Sequence, residues 1–398
     1  MKVFSIVTFL VAAACSHAQS SIGAQDALKL AANNRPALAA AKQKISQAQA
    51  LARAAGAYPA ATLSLGASSR SEVGSTDQDL QLSQPIDLFG RRSAGKQVGE
   101  AGVLIATAEY KKAAIDLQNE VLEAFAETVA SQHRRSVAAE LLSISEELYK
   151  ATKRRFDEGK VAEIQVTRAS IELERAKQYS ETSESEYQGS LQVLAGLVGV
   201  ESDDLSVAAD AQLDPLDGST IEARPDLMIL ASEVKLAEAE AAVSRASNRP
   251  ELSFQVMRSP WSNDPGYFAG RLQLSWAVMD HGRARNEDKA AKHKADSARK
   301  SLEDASKKAK TEVKAAQILL DSRKLRVEKY GRILESARDL VAKSQKGFSE
   351  GFGTLIDVLE AARALREFEQ ELIEARQELS LAVIAQYKAT GFLSEVLK

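Results

Sequence analysis

Phe156-Asp157-Glu158-Gly159-Lys160-Val161-Ala162-Glu163-Ile164-Gln165-Val166-Thr167-Arg168-Ala169 returns 192 residues later as Phe348-Ser349-Glu350-Gly351-Phe352-Gly353-Thr354-Leu355-Ile356-Asp357-Val358-Leu359-Glu360-Ala361. Phe, Glu, Gly, Ile, Val and Ala recur at one constant offset. A long helical pattern precedes each Gly and another follows it. Each copy therefore reads as the tight turn of a long helical hairpin, with Gly159 and Gly351 ending the incoming helix. A helix interrupted by a chance glycine is the rival reading, and two interruptions in matching context argue against it.

Outward from the turns, the pattern predicts long helices over about 91–155, 162–197, 283–346 and 354–390. A helix of about 65 residues is roughly 97 Å long at 1.5 Å per residue. Its packing seam is legible: Ala291, Ala295, Ala298, Leu302, Ala305, Ala309, Val313 and Ala316 step by four and three. Shifted back by 192, the seam is Gly99, Val103, Ala106, Tyr110, Ala113, Leu117, Val121 and Ala124. The return helices agree, Ala361, Leu365, Phe368 and Leu372 mirroring Ala169, Leu173, Ala176 and Ser180. A heptad seam of small residues lets helices approach closely. Between seam positions the surface is dense in Lys, Glu, Asp and Arg, as on a solvated face.

The repeat extends to most of the chain. Asn34-Arg35-Pro36-Ala37-Leu38 matches Ala223-Arg224-Pro225-Asp226-Leu227, Tyr58-Pro59 matches Arg249-Pro250, and Gly90-Arg91 matches Gly282-Arg283. The expected units are a first repeat over 19–197, a polar linker over 198–222 and a second repeat over 223–398. The linker holds Asp203-Asp204, Asp214-Pro215 and Asp217-Gly218, with room for a short strand or helix. Each repeat opens with an Ala-rich helix, roughly 24–56 and 225–247, ended by the residue before a proline.

Two β-hairpins come next, 60–88 and 251–280. Leu80, Leu82, Ile86 and Leu88 alternate with polar Asp79, Gln81, Ser83 and Asp87 in 78–88. Phe268, Leu272, Leu274, Trp276 and Val278 alternate with Tyr267, Arg271, Gln273 and Ser275 in 266–278. Their partners are 60–70 and 251–258, making four strands of about ten residues. That length crosses an outer membrane when tilted, and Trp261, Trp276 and Tyr267 stand where an aromatic girdle would be. A soluble sheet with one buried face remains the other reading. Pro85 suggests a bulge or an edge.

Composition points the same way as the periodicity. The 398 residues carry a formal charge of −3, so no polyelectrolyte partner such as nucleic acid is indicated. Aromatics are 5%, and Ala, Glu, Lys, Gln and Ser dominate as in long helices and coiled coils. Residues 1–18 read as an export signal: Lys2, an apolar run from Val3 to Ala14, and Ser16-His17-Ala18 as a small-x-small cleavage site. The run is too short to span a membrane. Ala12-Ala13-Ala14-Cys15 loosely resembles a bacterial lipoprotein box without its Leu. Lipidation would make Cys15 residue one, whereas cleavage after Ala18 would discard it. As the single cysteine, Cys15 also excludes an internal disulfide.

No catalytic constellation emerges, and no cofactor or metal site is expected. His17, His133, His281 and His293 are scattered, with His281 and His293 read as exposed. No nucleotide-binding glycine loop is present. Arg91-Arg92 and Arg283, where strand becomes helix, read as interfacial anchors or solvated charge. Closure is the informative constraint. A membrane sheet cannot leave an edge unpaired, and four strands are too few, since barrels begin at about eight. Several chains must then share one barrel, with the helical hairpins continuing its wall. The expected architecture is mainly α with a small β part.

These features resemble the outer-membrane efflux protein family, the TolC-like channels. Arg224-Pro225-Asp226-Leu227 with its Ala-rich helix, the strand pairs and the two Phe-x-x-Gly turns carry the resemblance over nearly the whole mature chain. It implies a homotrimer in the outer membrane, with a twelve-stranded β-barrel above an α-barrel, docking to a periplasmic adaptor and an inner-membrane pump. It implies a passive exit duct rather than an enzyme; a periplasmic coiled-coil adaptor or scaffold is the alternative. The turns Phe156, Gly159, Phe348, Gly351 and Gly353 would form the adaptor-docking tip. The family's acidic constriction maps onto Asp357 and Glu360, with Gln165 where an Asp often stands; crowding there would raise some carboxylate pKa values. Gly353 replaces the locking Arg of some members and Phe348 replaces a Tyr. A polar lock between hairpins is therefore not expected, and opening would rely on apolar packing.

Overall fold

The computed structural model describes residues 21–70, 75–208, 213–216, 224–258 and 268–397. The export signal, Cys15, Trp261, Tyr267 and Asp217-Gly218 lie outside them. Each half runs Ala-rich helix, β-hairpin, long helix, turn, return helix. The first half comprises β1 (Ser21–Ile22), α1 (Ala24–Asn34), α2 (Pro36–Ala55), β2 (Thr62–Arg70), β3 (Ser75–Ile86), α3 (Arg91–Asp157) and α4 (Glu163–Val198). A 3-10 turn (Ser202–Asp204) and β4 (Ser206–Val207) lead on to α5 (Pro225–Ser247), β5 (Glu251–Arg258), β6 (Ala269–Ser275), α6 (Arg283–Glu350) and α7 (Leu355–Thr390).

The single opening helix expected over 24–56 is two helices. Arg35 adopts extended angles, φ −84° and ψ 116°, and Pro36 takes the first position of α2. The pyrrolidine ring removes an N–H and disfavours helical angles at the residue before it, so the chain breaks there. The linker does hold short structure: β4 pairs in parallel with β1, Ser21 opposite Ser206 and Ile22 opposite Val207.

The four longer strands form one antiparallel sheet in the order β2-β3-β5-β6. Its register aligns Leu63 with Leu82 and Val256, Phe254 with Leu272, and Leu252 with Leu274 on one face. The other face carries Gln81, Ser83, Ser253, Gln255, Arg271 and Gln273. There Arg271 donates to Gln255 at 2.6 Å and to Gln273 at 3.0 Å. β6 ends at Ser275, short of the expected 278. The next rung would fall on Pro250, which has no N–H to offer, so Trp276 and Val278 leave the ladder. Pro85 pairs with Ser253 in an unbroken register, without a bulge. The pairing of β3 with β2 starts only at Ser83, so Pro85 stands where β3 has β5 alone beside it.

The seam predicted on α6 is the face the structure covers: Ala295, Ala309 and Ala316 are buried and the other five positions half-buried. On α3 close approach is explicit. A Cβ on Gly99 would lie 2.5 Å from the Cα of Ala52 in α2, so only glycine fits. The main core sits where α1, α3, α4 and α7 meet the C-terminal segment, around Leu28, Phe125, Leu194, Ile384 and Tyr387. Gln118, fully buried, donates to the Phe392 carbonyl at 2.9 Å and accepts from the Ser394 N–H at 2.8 Å. It pins that segment by satisfying backbone groups that burial would otherwise strand.

The repeat survives in tertiary detail. Arg224 forks onto Asp226 at 3.0 and 2.7 Å, reaches Glu312 at 2.6 Å and donates to the Ala389 carbonyl at 3.2 Å. Its counterpart Arg35 meets Glu120, the counterpart of Glu312, at 3.4 Å. Burial pushes the Asp226 carboxyl up, but the Arg224 guanidinium outweighs it and holds it below the usual range.

Arg91 and Arg92 are more than solvated charge. Arg91 donates to the carbonyls of Ala246, Ser247 and Arg249 at 3.2, 3.2 and 2.9 Å and pairs with Glu251, closing the C-terminus of α5. Arg92 donates to the Gly56 carbonyl at 2.6 Å and stacks on Tyr58, closing α2. Helix C-termini carry unsatisfied carbonyls and partial negative charge, which draws in guanidinium groups. Arg283 does match the solvated expectation: its side chain is 80% exposed and pairs with Glu287 on its own helix.

Candidate functional site

The two repeated turns lie at the ends of α3 and α6, about 100 Å of helix from the sheet at 1.5 Å per residue. Both close as the sequence predicts. Gly159 and Gly351 adopt left-handed angles, φ +73° and +89°. The Lys160 N–H reaches back to the Arg155 carbonyl at 2.8 Å, and the Phe352 N–H to the Gly347 carbonyl at 2.9 Å. These six-to-one bonds satisfy carbonyls that a helix end leaves open. Gly353 sits close to the incoming helix: a Cβ there would lie 3.1 Å from the Phe348 nitrogen, a tight approach. Beside the first turn, Lys160 bonds Glu158 at 2.8 Å and holds its carboxyl below the usual range.

The two Phe residues of the repeat part company. Phe348 is 4% exposed and packs with Leu148, Ala169, Leu355, Val358 and Leu359 between the hairpins. Phe156 is 39% exposed, and Phe352, in the second turn, is 90% exposed. The second turn is thus welded to the first hairpin and still presents an apolar tip.

Asp357 and Glu360 are exposed, three positions apart on the first turns of α7, and Gln165 is half-buried at the start of α4. Asp357 has a task within the chain. Its carboxylate accepts from the Thr354 N–H at 2.9 Å and hydroxyl at 2.7 Å, while the Thr354 hydroxyl accepts from the Asp357 N–H: a capping box. Within the single chain the Thr354 hydroxyl and N–H hold the Asp357 carboxyl below the usual range. The N-cap of α4 is Ala162, which has no side chain to cap with, so this device belongs to the second hairpin alone.

Polar ties between the hairpins exist, against expectation. Arg155 donates to the Phe348 carbonyl at 2.8 Å, with its guanidinium 4.7 Å from the Phe348 ring centre. Arg363 pairs with Glu172, which is 15% exposed, and Gln370 donates to the Tyr179 hydroxyl at 3.2 Å. Sequence reasoning missed Arg155. Its repeat counterpart is Gly347, and that loss of symmetry beside a well-matched turn was the available signal.

Comparison with known proteins agrees with this architecture. The family profile described as outer membrane efflux protein matches residues 27–200 and 218–392. The pyoverdine export outer membrane protein OpmQ of Pseudomonas aeruginosa is 24% identical, covering 92% of this chain and 84% of its own. The nickel-cobalt-cadmium resistance protein NccC of Alcaligenes xylosoxydans xylosoxydans is 26% identical over 55% of this chain, which spans about half (51%) of that relative. Among solved structures, the outer-membrane channel OprN superposes with a TM-score of 0.77 at 21% identity, over 92% of this chain and 89% of its own. CusC gives 0.79 at 18% identity, over 93% and 92%. Both likenesses concern the fold.

Proposed function

The chain belongs to the outer membrane efflux protein family, and from that premise we propose that it is the passive exit duct of a tripartite efflux system, assembled from three copies. One observation carries the reading. The chain builds a four-stranded sheet with an apolar face, a polar face and, among the described residues, two unpaired edges at β2 and β6, above helices of about 100 Å. An apolar sheet face with open edges has no place in lipid unless the edges close on identical sheets. Three copies supply twelve strands, enough for a lumen lined by the Gln and Ser face. The same trimer turns the hairpins into a tube continuous with the barrel.

The hairpin tips then form the far end of the duct. Phe352 and Phe156 are the apolar groups a periplasmic adaptor would meet, with Phe348 acting as filler behind them. Asp357, Glu360 and Gln165 would line the narrow end, six carboxylates in three copies giving a cation preference. The duct carries out no reaction of its own; an inner-membrane pump supplies the energy. Relatives carry names that range from metal resistance to pyoverdine export and alkaline protease secretion, so we assign the choice of cargo to the pump. The test is a planar bilayer. The purified trimer should conduct with cation preference, and D357A/E360A should lower that preference at unchanged assembly. An unchanged reversal potential would reject the acidic constriction, and a soluble monomer would reject the duct.

A further inference from the structure

The polar face of the sheet carries a charge whose sign the repeat reverses. Arg271 of β6 stands 192 residues after Asp79 of β3, and both lie on the Gln and Ser face. Arg271 is exposed, yet its guanidinium is held. Its Nη2 donates to the Oε1 of Gln255 at 2.6 Å and to that of Gln273 at 3.0 Å. The two amides are braced in turn: Gln255 donates to the Ser253 hydroxyl and Gln273 to the Ser275 hydroxyl, both at 3.2 Å. A long cation that would otherwise sweep through solvent is laid along the wall, its planar fork pre-organised. Neither partner is charged, so these bonds fix the positive charge without cancelling it.

Within the sheet, the acids of the same face stand apart from it. Ser83, Gln255 and Arg271 share one rung. Asp79 is four residues from that rung on β3, about 14 Å at about 3.4 Å per residue. Glu251 is four residues from it on β5, and its carboxylate is taken up by Arg91 at 2.9 Å.

We propose that three Arg271 side chains form an anion-favouring belt inside the barrel, a selectivity element opposite in sign to the acids of the tip. The proposal rests on the duct reading and adds to it a residue that sorts small ions at the sheet end. Three-fold symmetry puts the guanidinium groups at one height. Twelve strands about 4.8 Å apart and tilted about 40° place the wall about 12 Å from the axis. The Debye length is about 10 Å at 0.1 M salt and about 30 Å at 0.01 M, so at low salt the field of the belt fills the lumen. Rings of charged side chains set ion preference in this way. The belt leaves the choice of cargo with the pump, eases the exit of anions and holds back cations.

Charged thiol reagents read that field at a chosen place, independently of the narrow tip. S83C puts a thiol on the rung of Arg271, two strands away, in the full-length trimer in detergent. Its reactions with an anionic methanethiosulfonate (2-sulfonatoethyl) and a cationic one (2-trimethylammonioethyl) are followed by mass spectrometry of the peptide that holds residue 83. At about 0.01 M salt, R271Q in this background should lower the ratio of anionic to cationic rate about fivefold, from Coulomb energies in water at about 10 and 20 Å. At about 1 M salt, where the Debye length is about 3 Å, the two ratios should coincide. R271K keeps the charge and should keep the parent ratio. R271M serves as a second neutral variant should R271Q not assemble. A ratio unmoved by the neutral variants at low salt, a fall that persists at high salt, or an R271K ratio as low as that of R271Q would overturn the belt and leave the duct reading standing. A soluble monomer would remove both, since without a barrel there is no lumen.

Discussion

Helix α3 buries 20 of its 67 residues and helix α6 buries 8 of its 68, although the internal repeat makes them counterparts. Both start after a left-handed glycine, carry the same seam and end near the same kind of turn. The difference lies in what surrounds them. α3 is flanked by α2, α4, α5 and α7, while α6 packs mainly on α5 and α7. A repeat encodes the shape of an element, but its place along the chain decides how much of that shape one copy can cover.

The largest test of this asymmetry is Phe125→Ala, in the core around α3. Phe125 is 1% exposed, so truncation should cost about 3–5 kcal/mol in denaturant unfolding of the detergent-solubilised protein. Its counterpart Gln317 is exposed, and Gln317→Ala should cost under about 1 kcal/mol. Equal costs would break the comparison.

Gln118→Leu comes next. It strands the Phe392 carbonyl and the Ser394 N–H and should cost about 1–3 kcal/mol. The counterpart Lys310 is exposed, and Lys310→Leu should leave the unfolding midpoint within error.

Arg155→Ala sharpens the comparison at the tips, since Gly347 offers no second copy of that arginine. Loss of the charged hydrogen bond to Phe348 should raise the open fraction of single channels about tenfold. Single-channel recording at fixed voltage measures it, and an unaltered open fraction would make Arg155 a bystander.

The smallest effect concerns acid. The folded-state pKa of Asp226 is depressed, so its stabilising contribution is full above the unfolded carboxylate value of about 3.9 and fades as pH falls towards the lowered folded value. D226N should therefore flatten the acid limb of the stability curve between about pH 5 and pH 3. Ala37, the first-repeat counterpart, adds no such limb, and A37D should introduce one beside Arg35.

Much of the fold was legible because it is periodic. The seam from Ala291 to Ala316, the strand alternation and the glycine turns all repeat a local rule; burial followed it along the helical seam, while the apolar strand face stays exposed in the single chain. The misreadings occur where one element answers another. Arg91 and Arg92 look like solvated charge until the carbonyl ends of α5 and α2 are seen beside them. Phe156 and Phe348 are identical letters in matched turns, yet one faces solvent and the other fills a gap between hairpins. Asp357 is no misreading: its carboxylate caps α7 locally, a task that stands beside the pore role proposed for it. The break at Arg35-Pro36 was in plain sight, since the same pre-proline rule ended both Ala-rich helices.

Sequence alone determined the hairpins, the strand pairs and the doubling, because backbone angles and hydrophobic period act over a few neighbouring residues and leave their mark in order. Which copy of each repeated face is covered, which arginine closes which helix and which phenylalanine is hidden were decided only by the tertiary structure. Those contacts join residues from 36 to 193 positions apart, and their strength depends on water being excluded once the helices have met.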